Sequence, residues 1–271
     1  MDSFTQHALS QERKAYLARQ KRRTRYVRTC QIGFLLIFIA AWEILPRLGV
    51  VDAFIVSQPT RIVKTLVDMA QNKLLLHIGV TLYETLAGFL LGVAFGLLVS
   101  IILWSSSFIS RVAEPYLVVL NSLPKIALGP VIIILVGAGT KAIIFMALAI
   151  SLIVTVLEML SGFRGTDAES IKMARTFGAN KWQILTNIVL PANLETLFNS
   201  LKINIGLSLV GVIAGEFLVS KAGLGYLIVY GGQVFQLDLV MASVLILAIL
   251  AALMYQSVVL LQKLARKKFG G

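Results

Sequence analysis

The sequence predicts an all-α polytopic membrane protein with six transmembrane helices. Hydrophobic residues make up 58% of the 271 positions, charged residues make up 14%, and the mean hydropathy is +0.85. Soluble domains carry more charge and fewer apolar residues, so composition alone favours repeated crossings of a bilayer. Long apolar runs separated by short polar segments complete the pattern, because each run can span a hydrocarbon core about 30 Å thick.

The distribution of charge predicts the orientation of those helices. The formal net charge is +12, which in a soluble protein would suggest a nucleic-acid partner. Here the Lys and Arg residues collect at both ends of the chain and in alternate loops, which is the positive-inside pattern of a multi-pass protein. We therefore expect both termini in the cytoplasm and no nucleic-acid partner.

Basic stretches open and close the chain. Residues 1–30 are predicted to be a cytoplasmic tail, because they are too long and too polar for the start of a cleaved signal peptide. Residues 266–271 form a second basic tail. Residues 31–265 are predicted to form a single helical domain in the lipid bilayer, because the loops are short and hold no soluble insertion. The spans are predicted at about 32–48, 78–104, 115–136, 142–160, 192–219 and 238–264.

The second span carries Gly88, Gly92 and Gly96 at a spacing of four residues. Such a row of small residues lets another helix approach closely. The sequence leaves open whether that helix belongs to the same subunit or to a second copy.

The third span contains a polar segment with Asn121, Ser122, Pro124 and Lys125, followed by Pro130. Two prolines six residues apart are predicted to break or kink the helix, and the freed carbonyl groups are tolerable only beside protein or a water-filled cavity. A lysine at membrane depth is costly unless it is paired or faces an aqueous path. Lys125 is therefore a candidate pore residue, and snorkelling to the inner interface is the alternative.

The fifth span also carries polar residues, and we predict that they line the same translocation path. These residues are Lys202, Asn204, Ser208 and Glu216. The segment that follows, residues 220–237, is rich in Gly and Tyr. It is predicted to cover the mouth of a pore or to contact a binding protein.

Residues 162–191 interrupt the apolar pattern and are predicted to dock on a partner. Thr166 and Glu169 have the spacing of a capping box, which predicts a helix from about Asp167. Gly178 is predicted to end that helix with a positive φ. The apolar residues of this helix recur at helical spacing, at Ile171, Ala174 and Phe177.

A second short helix is predicted directly after Gly178. Asn180 and Gln183 form its cap, and Pro191 marks the break before the fifth span. Its predicted apolar stripe consists of Trp182, Leu185, Ile188 and Val189. Two short amphipathic helices of this kind are suited to a membrane surface or to a groove on a partner protein.

This loop resembles the cytoplasmic loop of ATP-binding-cassette (ABC) importer permeases. The motif of that family is Glu-Ala-Ala, three intervening residues, Gly, nine intervening residues, Ile, one intervening residue, and Leu-Pro. This chain has the matching residues at the same spacing, namely Ala174, Gly178, Ile188, Leu190 and Pro191. It departs at the first two positions, where Lys172 and Met173 replace the family's Glu and Ala.

The resemblance extends from about Val56 to Leu264. It is closest to permeases for nitrate, for aliphatic sulfonates such as taurine, and for thiamine-precursor pyrimidines. It implies the type I ABC importer permease fold, in the cytoplasmic membrane of a prokaryote. A Pro-Lys-x-Ala segment beside the translocation path of the family matches Pro124 to Ala127, which favours a pore-lining Lys125.

The resemblance also implies partners and roles. In the family, this loop contains the coupling helix, which seats in a cleft of the ATPase subunit; the coupling residues would be Lys172, Met173, Ala174, Gly178, Ile188, Leu190 and Pro191. Two ATPase subunits, a second permease copy and an extracytoplasmic solute-binding protein are implied. ATP and Mg²⁺ would bind in the ATPase, and the solute would be a small sulfonate, taurine, nitrate or a pyrimidine-type vitamin precursor.

The sequence holds no motif of its own for cofactor or metal chemistry, so we predict that this chain is not an enzyme. It has no P-loop, only two histidines (His7 and His77) and a single cysteine, Cys30. The sequence Gly206-Leu207-Ser208 suggests an intramembrane serine hydrolase, but no histidine follows it to act as the base. An ion-coupled secondary transporter that uses Glu84, Glu216 and Lys125 is the remaining alternative, and it predicts inverted repeats.

Overall fold

A computed structural model describes residues 2–71 and 73–269 of the chain. Every regular element in these residues is helical. A 3₁₀ turn (Lys125–Leu128) precedes α6, and a π turn (Leu185–Val189) precedes α10. The α-helices are α1 (Asp2–Arg47), α2 (Ala53–Val56), α3 (Pro59–Gln71), α4 (Leu74–Ser105), α5 (Ser107–Ser122), α6 (Gly129–Val136), α7 (Thr140–Arg164), α8 (Ala168–Thr176), α9 (Lys181–Ile184), α10 (Leu190–Ala192), α11 (Leu194–Val219), α12 (Leu224–Gln233) and α13 (Leu237–Phe269).

The chain divides into two compact units, one up to Lys64 and one from Thr65 onward, with the boundary inside α3. In the first unit, α1 is continuous, so the predicted tail and the predicted first span belong to one helix. After α1 the chain turns back, and the indole Nε1 of Trp42 donates to the carbonyl oxygen of Val56 at 3.1 Å. The Glu43 carboxylate accepts from the Thr60 N–H and hydroxyl. These contacts hold α2 and the start of α3 beside the end of α1.

The predicted all-α fold is confirmed, with helices for five to six membrane spans. Five helices of the described chain are long and apolar enough to cross a membrane, and the bent pair formed by α5 and residues 125–136 brings the number to six. The mean hydropathy of the best window is 2.6 in α4, α7 and α13. The helices extend a few residues beyond most of the predicted spans, because polar and aromatic residues at the ends of an apolar run continue the backbone hydrogen bonding.

The third span is broken, as its prolines predict, but the break lies at only one of them. α5 and the following helical segment meet at an angle of 88° between Ser122 and Lys125, where Pro124 lies. Pro130 lies in the first turn of α6, where its missing N–H costs no helical hydrogen bond. α5 also begins at Ser107, before the predicted start at residue 115, and it contains Pro115 within its length.

The centre of the second unit is the packing of α4, α7 and α11. A Cβ atom at Gly88 would lie 2.5 Å from the Cβ atom of Ala147, and one at Gly211 would lie 2.7 Å from the Ala147 Cα atom. Gly92 and Gly96 face Ser151 and Thr155 of α7 in the same way. The glycine row of the second span therefore packs against another helix of its own chain, and Ala147 lies where the three backbones approach one another most closely.

The segment predicted to cover a pore mouth contains an ordered helix. α12 buries Leu224, Gly225, Leu227 and Gly231 and packs against α4, α11 and α13. It is therefore part of the packed helical body. Exposed residues lie toward its C-terminal end, at Tyr230, and just after it, at Phe235, which has a positive φ of 56°.

Candidate functional site

The loop between α7 and α11 begins with a helix whose cap differs from the predicted one. Asp167 is the N-cap of α8, and its carboxylate accepts from the backbone N–H groups of Glu169 and Ser170. The Ser170 hydroxyl also donates to this carboxylate, and these hydrogen bonds hold the pKa of Asp167 below its ordinary value. The predicted capping box of Thr166 with Glu169 is therefore wrong, because the Thr166 hydroxyl instead accepts from Asn193 at 2.8 Å.

Gly178 forms the turn between α8 and α9, as predicted. Its φ is +79°, its N–H donates to the Arg175 carbonyl at 3.0 Å, and the Ala179 N–H donates to the Ala174 carbonyl at 3.0 Å. This pair of hydrogen bonds is a Schellman motif, which requires the left-handed backbone that glycine adopts without a steric penalty. A Cβ atom at Gly178 would contact nothing within 4 Å, so the requirement for glycine is conformational.

The second predicted cap is confirmed, and a wider turn follows it. Asn180 and Gln183 make a reciprocal capping box. The Leu190 N–H then donates to the Leu185 carbonyl, five residues back, so the chain widens into a π turn just before Pro191. Because a proline ring clashes with the carbonyl four residues before it in a regular α-helix, the wider turn makes room for Pro191. The helical path itself breaks at Asn193, after α10.

One face of the loop is anchored on the helical body. Ile184, Leu185 and Val189 are buried in a cluster with Met159 and Phe163 of α7. Other half-buried residues of the loop pack against the same cluster, namely Ile171, Ala174, Ala179 and Leu190. Ala174 thus contacts the core of its own chain.

The opposite face presents large apolar side chains to solvent. Phe177 is 83% exposed, Trp182 is 66% exposed and Met173 is 59% exposed. Spacing placed Phe177 in one predicted apolar stripe and Trp182 in the other, but the structure exposes both side chains and buries other members of the stripes. The turn at Gly178 and the cap at Asn180 rotate both side chains outward, and Ile184 takes the buried position instead. Lys172 is also exposed. These four residues are called the outer coupling surface below.

Asn193 closes the loop, a role that no motif or spacing in the sequence predicts. Its side chain is buried and donates to Thr166 Oγ1 at 2.8 Å and to the Val189 carbonyl at 2.9 Å. A Cβ atom at Gly162 would lie 2.6 Å from Asn193 Oδ1. Asn193 therefore joins the two ends of the loop where they leave α7 and enter α11.

The polar segment of the third span lies at the break. The Lys125 ammonium donates to the Asn121 carbonyl at 2.9 Å and approaches Asn121 Oδ1 at 3.5 Å. It thereby satisfies a carbonyl at the C-terminal end of α5, where helical partners are missing. Ser122 donates to the Val118 carbonyl at 2.9 Å, and Asn121, Ser122 and Pro124 are exposed.

The candidate path residues of α11 fall on two different faces. Lys202 is half-buried and donates to Asn199 Oδ1 at 3.2 Å. Asn204 and Ser208 are fully buried, and Asn204 Oδ1 and Ser208 Oγ have no hydrogen-bond partner among the described residues. The open face of α11, which we define by Ile203, Gly206, Val210 and Phe217, carries no polar side chain.

Glu216 is buried and organises the start of α12. Its carboxylate accepts from the Thr81 hydroxyl at 2.6 Å and from the backbone N–H groups of Gly225 and Tyr226. A negative charge at this position also complements the N-terminal end of the α12 dipole. A Cβ atom at Gly223, whose φ is +120°, would lie 2.4 Å from the carboxylate. Glu216 was predicted to line the path, but the structure places it in the packed interior.

Glu84 of α4 lies close to this carboxylate. It is fully buried, and neither of its side-chain oxygens makes a hydrogen bond of normal geometry within the described chain. Glu84 has a predicted role only in the alternative of an ion-coupled secondary transporter. Among the described residues, no group of three or more His, Cys, Asp or Glu side chains is arranged to hold a metal ion.

An apolar cavity of about 680 Å³ lies between the break in the third span and α11. Its lining combines residues from the 3₁₀ turn and the start of α6, including Ile126 and Pro130, with Val210, Ile213 and Phe217 of α11. The break and the open face of α11 therefore enclose one continuous surface.

Residues 88–270 match the family model described as the binding-protein-dependent transport system inner membrane component. The chain belongs to this family. The match covers α4 from the first glycine of its row, the broken span, the loop and all of α11 to α13.

Curated relatives agree with this membership. A probable ABC transporter permease protein of Haemophilus influenzae is 31% identical over 84% of this chain and 91% of its own length. A putative aliphatic sulfonates transport permease protein of Bacillus subtilis is 28% identical over 85% of both chains. A formylaminopyrimidine transport permease protein of Halalkalibacterium halodurans is 25% identical over 71% of this chain and 77% of its own.

A solved structure of the same fold is the inward-facing MetNI methionine ABC transporter. It matches with a TM-score of 0.65 at 19% identity, over 72% of this chain and 96% of that chain. The fold is thus that of a type I ABC importer permease. As a member of the family, the chain is an inner-membrane permease subunit of an ABC importer, and the transport system depends on a binding protein.

Proposed function

We propose that two copies of this permease form one translocation path and that each copy couples to one ATPase subunit through its outer coupling surface. In this arrangement ATP and Mg²⁺ bind in the ATPase, and the permease contributes movement without bond chemistry. Both termini lie on the side of the ATPase, and the binding protein delivers solute to the opposite side.

The main observation in favour of coupling to the ATPase subunit is that the loop has two distinct faces. One face is anchored on Met159 and Phe163 of α7, and the other exposes Met173, Phe177 and Trp182. Large exposed apolar residues grouped on a short helical segment are typical of an interface with another protein. Because Asn193 joins both ends of the loop to the body, a push on this surface would move α7 and α11 together.

Lys172 stands where the family carries a glutamate, so it changes the charge that the ATPase meets. An exposed ammonium beside three apolar side chains favours a carboxylate on the facing subunit. Met173 replaces a small residue with a long, flexible apolar one, which can fill an irregular cleft.

The open face of α11 and the break at Lys125 are the surfaces that best support a path. The cavity between them is lined by residues of both, and the ammonium groups of Lys125 at the break and Lys202 on α11 form no ion pair in the described residues. We propose a small anionic or polar organic solute, of the sulfonate, taurine, nitrate or pyrimidine class. The binding protein would select among them.

The test of coupling is the variant Gly178→Val. The φ of Gly178, +79°, is unfavourable for a β-branched residue, so the variant should lose the Schellman turn while its insertion in the membrane is preserved. We expect affinity purification from the native host in mild detergent to recover the wild-type chain with an ATPase subunit at equal stoichiometry. The variant should be recovered without it, and solute uptake should be abolished.

Gly137→Val is the matched control. Gly137 has a φ of +92° and no neighbour within 4 Å of an added Cβ atom, so a valine there is also unfavourable for conformational reasons alone, but the residue lies at the other end of the helices. We expect this variant to retain the ATPase. Normal ATPase recovery and uptake with Gly178→Val would overturn the proposed coupling role.

A further inference from the structure

A cavity of about 440 Å³ with charged side chains in its lining lies at the end of the helices that carries the loop. It is formed where α4 ends, α5 begins and α7 ends, and its lining includes Trp104, Ser110, Arg111, Glu114 and Arg164. None of these residues belongs to the coupling surface or to the proposed path. We propose that this cavity binds the headgroup of an anionic phospholipid.

The first argument is the charge of the cavity. Arg164 donates to Ser110 Oγ at 2.7 Å and pairs with Glu114 at 3.2 Å. Arg111 lines the same cavity and makes no ion pair or hydrogen bond within the described chain. Two guanidinium groups therefore face one carboxylate, and one positive charge is left for a ligand. Guanidinium groups bind phosphate oxygens in a bidentate geometry, which makes a phosphate group the natural anion for this site.

The second argument is the depth of the cavity in the membrane. α4 and α7 are membrane spans that end at Ser105 and Arg164, so the cavity lies at the boundary between hydrocarbon and water. Trp104 lines it, and tryptophan is enriched at this boundary. Basic pockets between spans at such a level are suited to lipid headgroups.

The third argument concerns the acyl chains. Phe108, Val112 and Tyr116 follow one another at four-residue spacing along α5 and are 75%, 51% and 67% exposed. α5 is the first half of a membrane span, so this apolar stripe is available to lipid beside the charged cavity. A free phosphate ion would use only the charges. A phospholipid would use both the charges and the stripe, so the combination favours the lipid.

The experiment measures how phospholipids stabilise the purified full-length protein in detergent. Phosphatidylglycerol, phosphatidylcholine and inorganic phosphate are titrated separately while thermal unfolding is followed. We expect phosphatidylglycerol to stabilise the protein at lower concentration than phosphatidylcholine and inorganic phosphate to have no comparable effect. Native mass spectrometry should show phosphatidylglycerol retained on the protein.

Two variants test the site in opposite directions. Arg111→Gln should weaken the response to phosphatidylglycerol about fivefold, which is the effect of one basic residue near an anionic lipid surface. Glu114→Gln should strengthen it, because it removes the carboxylate that competes for Arg164. Neither change requires a packed side chain to be replaced, since both residues are exposed.

Arg175→Gln is the control for charge. It removes the same charge from α8, on the same end of the protein but outside the cavity, and should leave the response unchanged. Equal stabilisation by phosphatidylglycerol and phosphatidylcholine, or a wild-type response from Arg111→Gln, would overturn the lipid site. Stabilisation by inorganic phosphate that Arg111→Gln abolishes would also overturn it, in favour of a soluble anion.

Discussion

Two buried glutamates illustrate how the same residue type takes different roles in one membrane protein. Glu216 accepts three hydrogen bonds, from Thr81, Gly225 and Tyr226, and it holds α4, α11 and α12 together. Glu84 lies nearby without a hydrogen bond of normal geometry. A buried carboxylate with several donors is stabilising, whereas a buried carboxyl without them is a cost that the surrounding packing must offset.

We therefore expect Glu216→Gln and Glu84→Gln to differ in stability. Glu216→Gln keeps one side-chain oxygen, which can still accept from the N–H groups of α12, but its NH₂ group then faces the Thr81 hydroxyl. This buried donor loses its acceptor, at a cost of about 2 kcal/mol. For a protein of this size the melting temperature should fall by about 5 °C. Glu84→Gln keeps the shape of the side chain and removes no hydrogen bond of normal geometry, so its melting temperature should stay close to wild type.

The measurement is thermal unfolding of both purified variants in one detergent. Each variant serves as the control for the other, because the chemical change is identical. A larger loss in Glu84→Gln than in Glu216→Gln would contradict the roles assigned from the hydrogen bonds.

Single residues were predictable where their structure depends on near neighbours. The positive φ of Gly178 and the capping box of Asn180 with Gln183 involve only adjacent turns, and both are confirmed. The box of Thr166 with Glu169 is wrong because Asp167 competes for the same N–H groups and is one residue closer. The role of Glu216 could not be predicted, because Thr81 is 135 positions away in the chain.

At the scale of elements, the packing of α4 on α7 depends on small residues. A Cβ atom at Gly92 would lie 1.8 Å from Ser151 Oγ, and one at Gly96 would lie 2.6 Å from the Thr155 Cβ atom. Gly79 in the same helix has no neighbour within 4 Å. The helix therefore contains positions that require glycine for close packing and a position that does not.

Gly92→Leu should separate α4 from α7 and reduce the yield of folded protein severely, because overpacking a close helix pair forces backbone shifts. Gly79→Leu should leave the yield unchanged. The measurement is the monodisperse fraction of each variant after detergent extraction. Similar yields for both would show that the contact at Ser151 is not essential for assembly.

The two faces of α11 provide a test of the proposed path. Val210 is 50% exposed on the open face, and Val212 is fully buried against α7. In a Cys30→Ser background, we expect Val210→Cys to react with a water-soluble, charged thiol reagent in the assembled transporter, because a path contains water. Val212→Cys should stay unreactive. An unreactive Val210→Cys would mean that lipid or packed protein covers this face, and the proposed path would be wrong.

This assignment of faces could not be read from the sequence. Polar residues such as Asn204 and Ser208 suggested a wet surface, but both are buried. The open face carries Gly206 and apolar residues instead. In a membrane, buried polar groups and exposed apolar groups are both common, because the surrounding solvent is lipid. The rule that the polar face of a helix is its exposed face therefore does not apply here.

At the scale of the whole molecule, the apolar runs predicted the spans and the loop predicted the family. The apolar runs are long enough that both their length and their hydropathy indicate membrane-spanning helices. The spacing of residues from Ala174 to Pro191 is specific to the loop of the permease family. The prolines predicted a break in the third span, but they did not predict its angle of 88° or its position at Pro124 alone, and the continuity of α1 through the basic segment was also missed. The continuity of α1 and the angle in the third span depend on how consecutive segments connect, and composition contains no information on this.

The Glu216 network has a consequence for the synthesis of the protein. Thr81 and His77 of α4 bind the Glu216 carboxylate and the Gly223 N–H, which are 135 and 146 positions further along the chain. A ribosome therefore delivers α4 into the membrane long before its polar partners exist. Until α11 and the first turn of α12 emerge, the polar side chains of α4 need water, the insertion machinery or another chain as a substitute. Release of the early helices into lipid should thus be delayed until the C-terminal third of the protein has been made.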